Sequence, residues 1–419
     1  MNSKSSNVAI LVGGGPAPGI NSVIAAATIR AVQRGATVIG IRNGFERIMQ
    51  GDVTDVQPLV PATVHGLHFR GGSYLGASRA NPTRDPKHLQ AALDAFTRLG
   101  VSGLITIGGD DTAYSAAQLA AAAAGRLRVV HVPKTIDNDL DLPHGIPTFG
   151  FQTARHVGVE IVKNLIVDAH TTARWYFVVT MGRKAGHLAL GIGHAAGAAL
   201  TLIPEALTGA PVRLAQIADI LVGAIITRRA RGRLDGVAVL AEGLAEQLDP
   251  EELARLGAVE RDAHGHLRLA ELDLGNVLKR TVSAELERAG LKLTIVSKEI
   301  GYELRCADPI AFDMEYSRDL GYCAAQYLLD GGSGAMVSIV GGRFVPMPFS
   351  TMRDPATGRT RVRTVDVACE SYQIARRYMD CLDADALADA ETLAACATLV
   401  KTTPEALRAR FQPVAAAFA

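Results

Sequence analysis

The feature that most constrains this chain is a repeated local pattern: a short β-branched run, a glycine or polar cluster, then apolar residues at helical spacing. Val8–Val12, Thr37–Ile41, Val101–Ile107, Val129–Val132, Trp175–Thr180, Val237–Leu240 and Leu293–Val296 are such runs. They are rich in β-branched and apolar residues and each passes into a helical pattern, so the repeat predicts βα units of a parallel sheet. Sheets of that kind gather ligands at the C-terminal ends of their strands, which is where these runs pass into polar or charged residues.

Val8–Val12 leads through Gly13, Gly14, Gly15 and Gly19 into an Ala/Ile-rich helix ending near Gln33, and Thr37–Ile41 completes a βαβ opening. Asp85-Pro86 reads as a cap followed by proline at the first helical position, with Leu89, Leu93, Phe96 and Leu99 at helical spacing until Gly100. Ala185–Pro204 is the longest uncharged stretch, yet it holds His187, His194 and four glycines. It reads as a buried helix after a glycine-rich turn, not as a membrane span. From about residue 355 the texture is Ala/Leu/Arg-rich helix, with Thr403-Pro404-Glu405 as one helix start. The 419 residues, 48% hydrophobic and 20% charged, supply core for two lobes and exclude a disordered or collagen-like chain. We therefore expect an α/β protein of two interleaved Rossmann-like lobes with mainly parallel sheets, plus a helical C-terminal segment.

Forty-three Lys and Arg against 42 Asp and Glu leave a formal charge of +1, so there is no overall field to attract nucleic acid or an anionic membrane. Any anion site must be local. The five cysteines are widely spaced and lack a CxxC pair, which excludes a disulfide framework and a zinc site and reads as reduced packing residues. Val8–Val12 is too short for the core of a signal peptide, and the expected compartment is the cytoplasm.

Four segments at strand ends carry chemistry. Gly13-Gly14-Gly15-Pro16-Ala17-Pro18-Gly19 lies between a strand and a helix, where backbone amides and a helix N-terminus suit a phosphate. It has neither Walker A nor dinucleotide spacing, and a plain tight βα turn would read the same way. Gly108-Gly109-Asp110-Asp111-Thr112 places two adjacent carboxylates where a helix begins, one more than an N-cap needs. Like charges ~4 Å apart repel by ~4 kcal/mol at an effective dielectric of ~20, so a phosphate beside them calls for a cation, and Mg²⁺ on at least one carboxylate meets that need. Lys134-Thr135-Ile136-Asp137-Asn138-Asp139 brings a lysine, a hydroxyl and two acids to the next strand end. These are the groups that phosphoryl transfer to an alcohol uses, although an Asx-turn with solvated charges has the same composition. Met181-Gly182-Arg183 closes a further strand, and Arg79 ends Gly71-Gly72-Ser73-Tyr74-Leu75-Gly76-Ala77-Ser78. The planar fork of arginine suits phosphate.

Together GGGPAPGIN, GGSYLGASR, GGDDT, PKTIDND, MGR, AEG and GYELR stand in the order found in the phosphofructokinase family, which the chain resembles over about residues 8–345. ATP-dependent members typically have glycine where this chain has Asp111 and glycine where it has Lys134, so the chain resembles the pyrophosphate-dependent branch. A carboxylate at Asp111 would occupy and repel the space an ATP α-phosphate needs, and Lys134 would stabilise the oxygens of the migrating phosphoryl group. The resemblance implies reversible Mg²⁺-dependent transfer from pyrophosphate to the 1-hydroxyl of fructose 6-phosphate. It makes residues 1–150 the larger donor-binding lobe, 151–310 the sugar-phosphate lobe, and 311–419 a return to the first lobe followed by the helical segment.

By the same resemblance Asp137 would be the base, Asp110 would hold Mg²⁺ and Gly13 would contact pyrophosphate through its backbone. Thr135 and Ile136 would flank the base, Met181, Gly182 and Arg183 would wrap the substrate, and Glu242 would bond sugar hydroxyls. Tyr302, Glu303, Leu304 and Arg305 would bind the 6-phosphate end, and Arg79 would touch phosphate. Tyr302 stands where ATP-type enzymes have histidine, and Lys298 upstream offers a positive charge. Arg174 matches an arginine that reaches a neighbouring subunit's substrate, which implies a homo-oligomer with shared active sites, a dimer being favoured. Competing readings are an ATP-dependent enzyme that tolerates Asp111, a diacylglycerol or NAD kinase sharing a GGDG-type loop, and a non-catalytic subunit. The breadth of sugar phosphates accepted is open at this level.

Overall fold

In the computed structural model, residues 7–207, 209, 211–254, 272–352 and 360–417 are described. Among them the apolar runs form strands in chain order: β1 (Asn7–Val12), β2 (Thr37–Ile41), β3 (Val56–Leu59), β4 (Val101–Gly108), β5 (Arg128–Thr135), β6 (Phe149–Gly150), β7 (Trp175–Thr180), β8 (Leu200–Leu202), β9 (Gly236–Ala241), β10 (Ile295–Ile300), β11 (Ala335–Val340) and β12 (Arg343–Pro348). The chain divides into two compact units, one made of the described residues within Met1–Ala154 and Tyr302–Arg363, the other of those within Arg155–Asp262, Leu267–Gly301 and Thr364–Ala419. The units are interleaved along the sequence, and the first boundary falls inside the helix Phe151–Thr172. Tyr302–Arg305 belongs to the first unit, and the tail from Thr364 to the second. The division expected from the sequence is 1–150, 151–310, and 311–419 as a return to the first lobe followed by a separate helical segment.

In the first unit the sheet runs β12-β11-β5-β4-β1-β2-β3, with β6 added to β5. Its central ladders are parallel, and only the outer strands β3 and β12 pair antiparallel. Helices cover both faces: Ile20–Gln33 packs on Ala311–Leu329, and Pro86–Arg98 and Asp110–Ala123 pack against β4 and β5. Ala9, Leu11, Leu104 and Val129 join Phe96, Ala113, Ala116 and Leu119 in one core cluster. Two-sided cover is why β1 and β4 are buried at nearly every position and show no alternation. The cap at Asp85 forms as the sequence predicts, its carboxylate accepting the Lys87 amide at 2.8 Å ahead of Pro86–Arg98.

The second unit holds a four-stranded parallel sheet in the order β10-β7-β9-β8. The uncharged stretch Ala185–Pro204 is not one helix: His187–Ala196 ends at Gly197, whose φ of 75° is the left-handed C-terminal cap, and β8 follows by pairing with β9. Helix Leu214–Ala230 is buried from Ile217 to Thr227, because Ala390–Leu399 and Pro404–Ala417 of the tail pack along it. Among the described residues no helix is long and apolar enough to cross a membrane.

Candidate active site

Register decides what meets at the edge of the first sheet. Val12 stands beside Ile107, and Ile107 beside Val132, so Gly13–Gly15, Gly109–Asp111 and Lys134–Asp137 leave the sheet along one edge. At ~4.8 Å between neighbouring strands, the three segments lie within ~10 Å, the reach of a small polyphosphate. The Gly13 amide donates to Ile107 O at 2.8 Å, and the Gly14 amide donates to Ser78 O at 2.8 Å, which ties the glycine loop to the segment that carries the exposed Arg79. Gly13 must lack a side chain, since a Cβ there would lie 2.4 Å from Thr112 Oγ1.

Two cations converge on this loop. Lys134 is only 5% exposed, and its Nζ donates to Gly15 O at 2.6 Å. The Arg305 guanidinium lies against Gly15, 3.2 Å from where a Cβ would be, and stacks over the exposed Tyr302 ring at 5.2 Å. Arg305 is thus at the phosphate loop, a placement that sequence spacing alone does not disclose. Leu304 is fully buried in the same short helix and acts as its anchor, while Glu303 is exposed.

Asp110 and Asp111 begin the helix Asp110–Ala123 after Gly109, both half-buried, where the helix N-terminus favours negative charge. Among the described residues no group of three His, Cys, Asp or Glu forms a metal cage. The two carboxylates at the helix start are the kind of donor set from which Mg²⁺ takes one or two ligands, completing its shell with water and substrate phosphates. Behind this turn lies His131, fully buried and unremarked in the sequence reading. Its Nε2 donates to Gly108 O at 3.0 Å and its Nδ1 accepts from the Thr106 hydroxyl at 2.8 Å, so both ring nitrogens are satisfied in the neutral form. Burial holds its pKa down to about 3. A histidine inside the otherwise apolar run Val129–Val132 was the signal available.

After β5 the chain turns at Thr135, whose Oγ1 accepts the Asp137 amide at 3.0 Å. Thr135 O accepts the Thr148 hydroxyl at 2.7 Å, and Asn138 Oδ1 accepts the Thr148 amide at 3.0 Å. Asn138 has φ 57°, a left-handed conformation that asparagine tolerates better than most residues. Ile136, Asn138 and Asp139 are buried while Asp137 is half-exposed, so the carboxylate that reaches solvent is that of Asp137.

In the second unit, Met181, Gly182 and Arg183 follow β7, and the Met181 amide donates to Ile300 O at 3.2 Å. Glu242, 6% exposed, takes the Gly182 and Arg183 amides on one oxygen, Oε1, at 3.1 and 2.9 Å. It therefore shapes the Met181–Arg183 turn, a role the sequence reading did not anticipate. Arg183 has φ 50°, an uncommon backbone state for a side chain of its size. Glu205, also missed, accepts the Gly186 and Val365 amides at 2.9 Å each, and burial raises its pKa. Arg174 stands at the other end of β7, 3.9 Å from the Asp168 carboxylate, and Lys298 lies half-buried on β10.

The profile of the family described as Phosphofructokinase matches residues 7–328 of this chain. The chain is 50% identical over 407 residues to a pyrophosphate–fructose 6-phosphate 1-phosphotransferase of Thermotoga maritima, covering 96% of this chain and 97% of that protein. It is 47% identical over 405 residues to a protein of the same name from Naegleria fowleri, covering 94% and 93%. A crystal structure of a pyrophosphate-dependent phosphofructokinase from Nitrosospira multiformis shares the fold at TM-score 0.68 and 17% identity, covering 89% of this chain and 90% of that one.

Proposed function

The chain belongs to the phosphofructokinase family, and from that premise we propose how its residues carry the reaction. It is a phosphotransferase that moves a phosphoryl group from inorganic pyrophosphate to the 1-hydroxyl of fructose 6-phosphate. The observation that carries the role assignment is the meeting of three segments at one strand edge: the glycine loop, the Asp110-Asp111 helix start, and Lys134 anchored on Gly15 O.

Pyrophosphate lies on the Gly13–Gly15 loop, its charge met by Lys134 and by Arg305, which the family resemblance gives to the 6-phosphate end and whose contact with Gly15 supports the donor side instead. Asp137 accepts the proton of the sugar 1-hydroxyl as that oxygen bonds to one phosphorus of pyrophosphate, the P–O–P bridge breaks and orthophosphate leaves, giving fructose 1,6-bisphosphate, with Thr135 and Ile136 beside the base. Lys134 stabilises the charge that spreads over the transferring phosphoryl oxygens, and being held by a backbone carbonyl it needs little reorganisation to do so. Asp110 would hold Mg²⁺, which when bound would neutralise charge on the phosphate oxygens. Asp111 excludes a nucleotide by repelling an α-phosphate. Arg183, Met181 and Gly182 contact the sugar phosphate, and Glu242 first holds their turn through the Gly182 and Arg183 amides. Tyr302 offers a hydroxyl and Arg79 a guanidinium to phosphate. The same cations stabilise the transition state from either side, and orthophosphate is the acceptor when fructose 1,6-bisphosphate is the donor, so the proposed reaction runs in both directions.

Arg174 supports a homo-oligomer with shared sites. It precedes the six-residue β7 and Met181–Arg183 follows it, a separation of about 20 Å along the strand. That separation fits assigning Arg174 to the sugar phosphate of a partner subunit and not to a ligand at Met181–Arg183 of its own chain. The five cysteines are all free thiols, which fits a reducing, cytoplasmic compartment.

The test is phosphorylation of fructose 6-phosphate with Mg²⁺ and either pyrophosphate or ATP, on the wild type and on Asp111→Gly. Turnover with pyrophosphate alone, and gain of ATP use in the variant, is the expected result. Turnover with ATP alone would overturn the donor assignment.

A further inference from the structure

We infer that Arg363, which lies outside every motif read from the sequence, is a positioning residue that holds the Asp137 loop in its working conformation. The inference rests on the reading of Asp137 as the base. Arg363 reaches across 225 residues of sequence: its Nε donates to Asn138 O at 3.1 Å, its Nη1 to Ile146 O at 2.9 Å, and its Nη2 to Asn138 Oδ1. Its own amide donates to Asp139 O at 2.7 Å.

The preceding residues extend this hold. Val362 forms an antiparallel bridge with Leu140, and the Thr360 hydroxyl donates to Asp110 O at 3.3 Å. Thr360–Arg363 is thus a strap across two of the loops that leave the sheet edge. The fork matters more than the charge. Asn138 needs its carbonyl and its side-chain oxygen satisfied together, in a buried place and in the left-handed conformation that turns the chain away after Asp137. Arginine alone among side chains presents a rigid planar set of donors able to meet Asn138 twice and Ile146 once. Burial pulls the Arg363 pKa down from its ordinary value, and Asp139 and Asp141, acids of the same loop, oppose that shift. Removing the fork leaves the buried Asn138 carbonyl without its donor and Asn138 Oδ1 with the Thr148 amide alone, and frees the loop to shift, so that the sugar hydroxyl and Asp137 lose alignment.

The experiment uses the full-length chain as wild type, Arg363→Gln and Arg363→Lys, in two arms. In hydrogen–deuterium exchange, the peptide covering Thr135–Asp141 exchanges faster in both variants, while peptides from helix Leu214–Ala230 keep wild-type rates. In steady-state assays with pyrophosphate and fructose 6-phosphate, kcat falls up to about 100-fold, the cost of a misplacement of about 1 Å, with both KM values within about threefold of wild type. Arg363→Lys falls nearly as far as Arg363→Gln because it keeps the charge and loses the fork. Wild-type kcat in Arg363→Lys, unchanged exchange in the loop, or exchange that rises throughout the protein in step with the loss of activity would each overturn the inference. If the wild type does not turn over this substrate pair, the reading of the reaction fails, and the exchange arm alone decides whether Arg363 holds the loop.

Discussion

Replacing Gly13 by alanine tests whether the phosphate loop is positioned by close packing on Thr112. The Gly13 backbone is not in the left-handed region, so the perturbation is purely steric. A Cβ there would lie 2.4 Å from Thr112 Oγ1, 2.8 Å from its Cγ2 and 3.2 Å from its Cβ, against an ordinary contact limit of 3.4 Å. Turning Thr112 to another rotamer exchanges one close branch for the other, and at 5% exposure in helix Asp110–Ala123 the side chain has nowhere to withdraw. The loop must therefore move by about 1 Å, with overpacking costing ~1–3 kcal/mol of stability. The same shift at the pyrophosphate-facing amides lowers kcat/KM for pyrophosphate by about 100-fold, equivalent to ~2.7 kcal/mol. Thr112→Ala removes the two nearest atoms and leaves only the 3.2 Å approach, which a displacement of a few tenths of an ångström relieves. Gly13→Ala/Thr112→Ala therefore recovers much of the loss, with a coupling of at least ~1 kcal/mol in a double-mutant cycle on kcat/KM. Additive losses, or a Gly13→Ala enzyme with wild-type kinetics, would refute the reasoning.

His131 predicts a pH dependence of stability. Its pKa falls from 6.5 to about 3 on folding, so below pH 6.5 the unfolded chain binds a proton that the folded chain does not. Its contribution is complete above pH 6.5 and erodes at ~1.4 kcal/mol per pH unit as the pH drops towards the folded value. Urea melts between about pH 7.5 and pH 5 should show a smaller loss for His131→Gln than for wild type, and equal slopes would count against a buried neutral imidazole. Subunit sharing is read by complementation. Arg174→Ala and Asp137→Asn are each expected to be inactive, whereas subunits of the two mixed as dimers regain about a quarter of wild-type activity, since each mixed dimer assembles one intact site. Mixing without recovery, or full activity in Arg174→Ala alone, would contradict a ligand held across subunits.

How much was legible varies element by element. Thr37–Ile41 and Trp175–Thr180 are strands at the bounds the sequence suggested, because buried parallel strands carry their signal in local composition. Leu293–Val296 is displaced to Ile295–Ile300, since β10 lies at the edge of its sheet and carries Lys298 and Glu299, which do not read as a buried strand. The outer strands β3 and β12 escaped notice because Pro58, Pro346 and Pro348 mask them; proline lacks a ladder donor and so reads as a break in a strand. Among site residues the strand-end loops were visible as glycine and carboxylate clusters, but Glu205, His131 and Arg363 were not. Each is a single side chain whose partners lie elsewhere in the sequence.

By itself the sequence determined the class of fold and the loops that bear chemistry, each of which depends on residues within one strand-to-helix step, and its family resemblance at Asp111 and Lys134 determined the donor branch. Only the tertiary structure decided that β1, β4 and β5 lie side by side, bringing Gly13, Asp110 and Lys134 to one edge. It alone placed Arg305 on Gly15 and Arg363 on Asn138. Strand order and long-range clamps arise from burying sheet faces and satisfying buried backbone groups across the whole unit, and those demands leave no period in the local sequence.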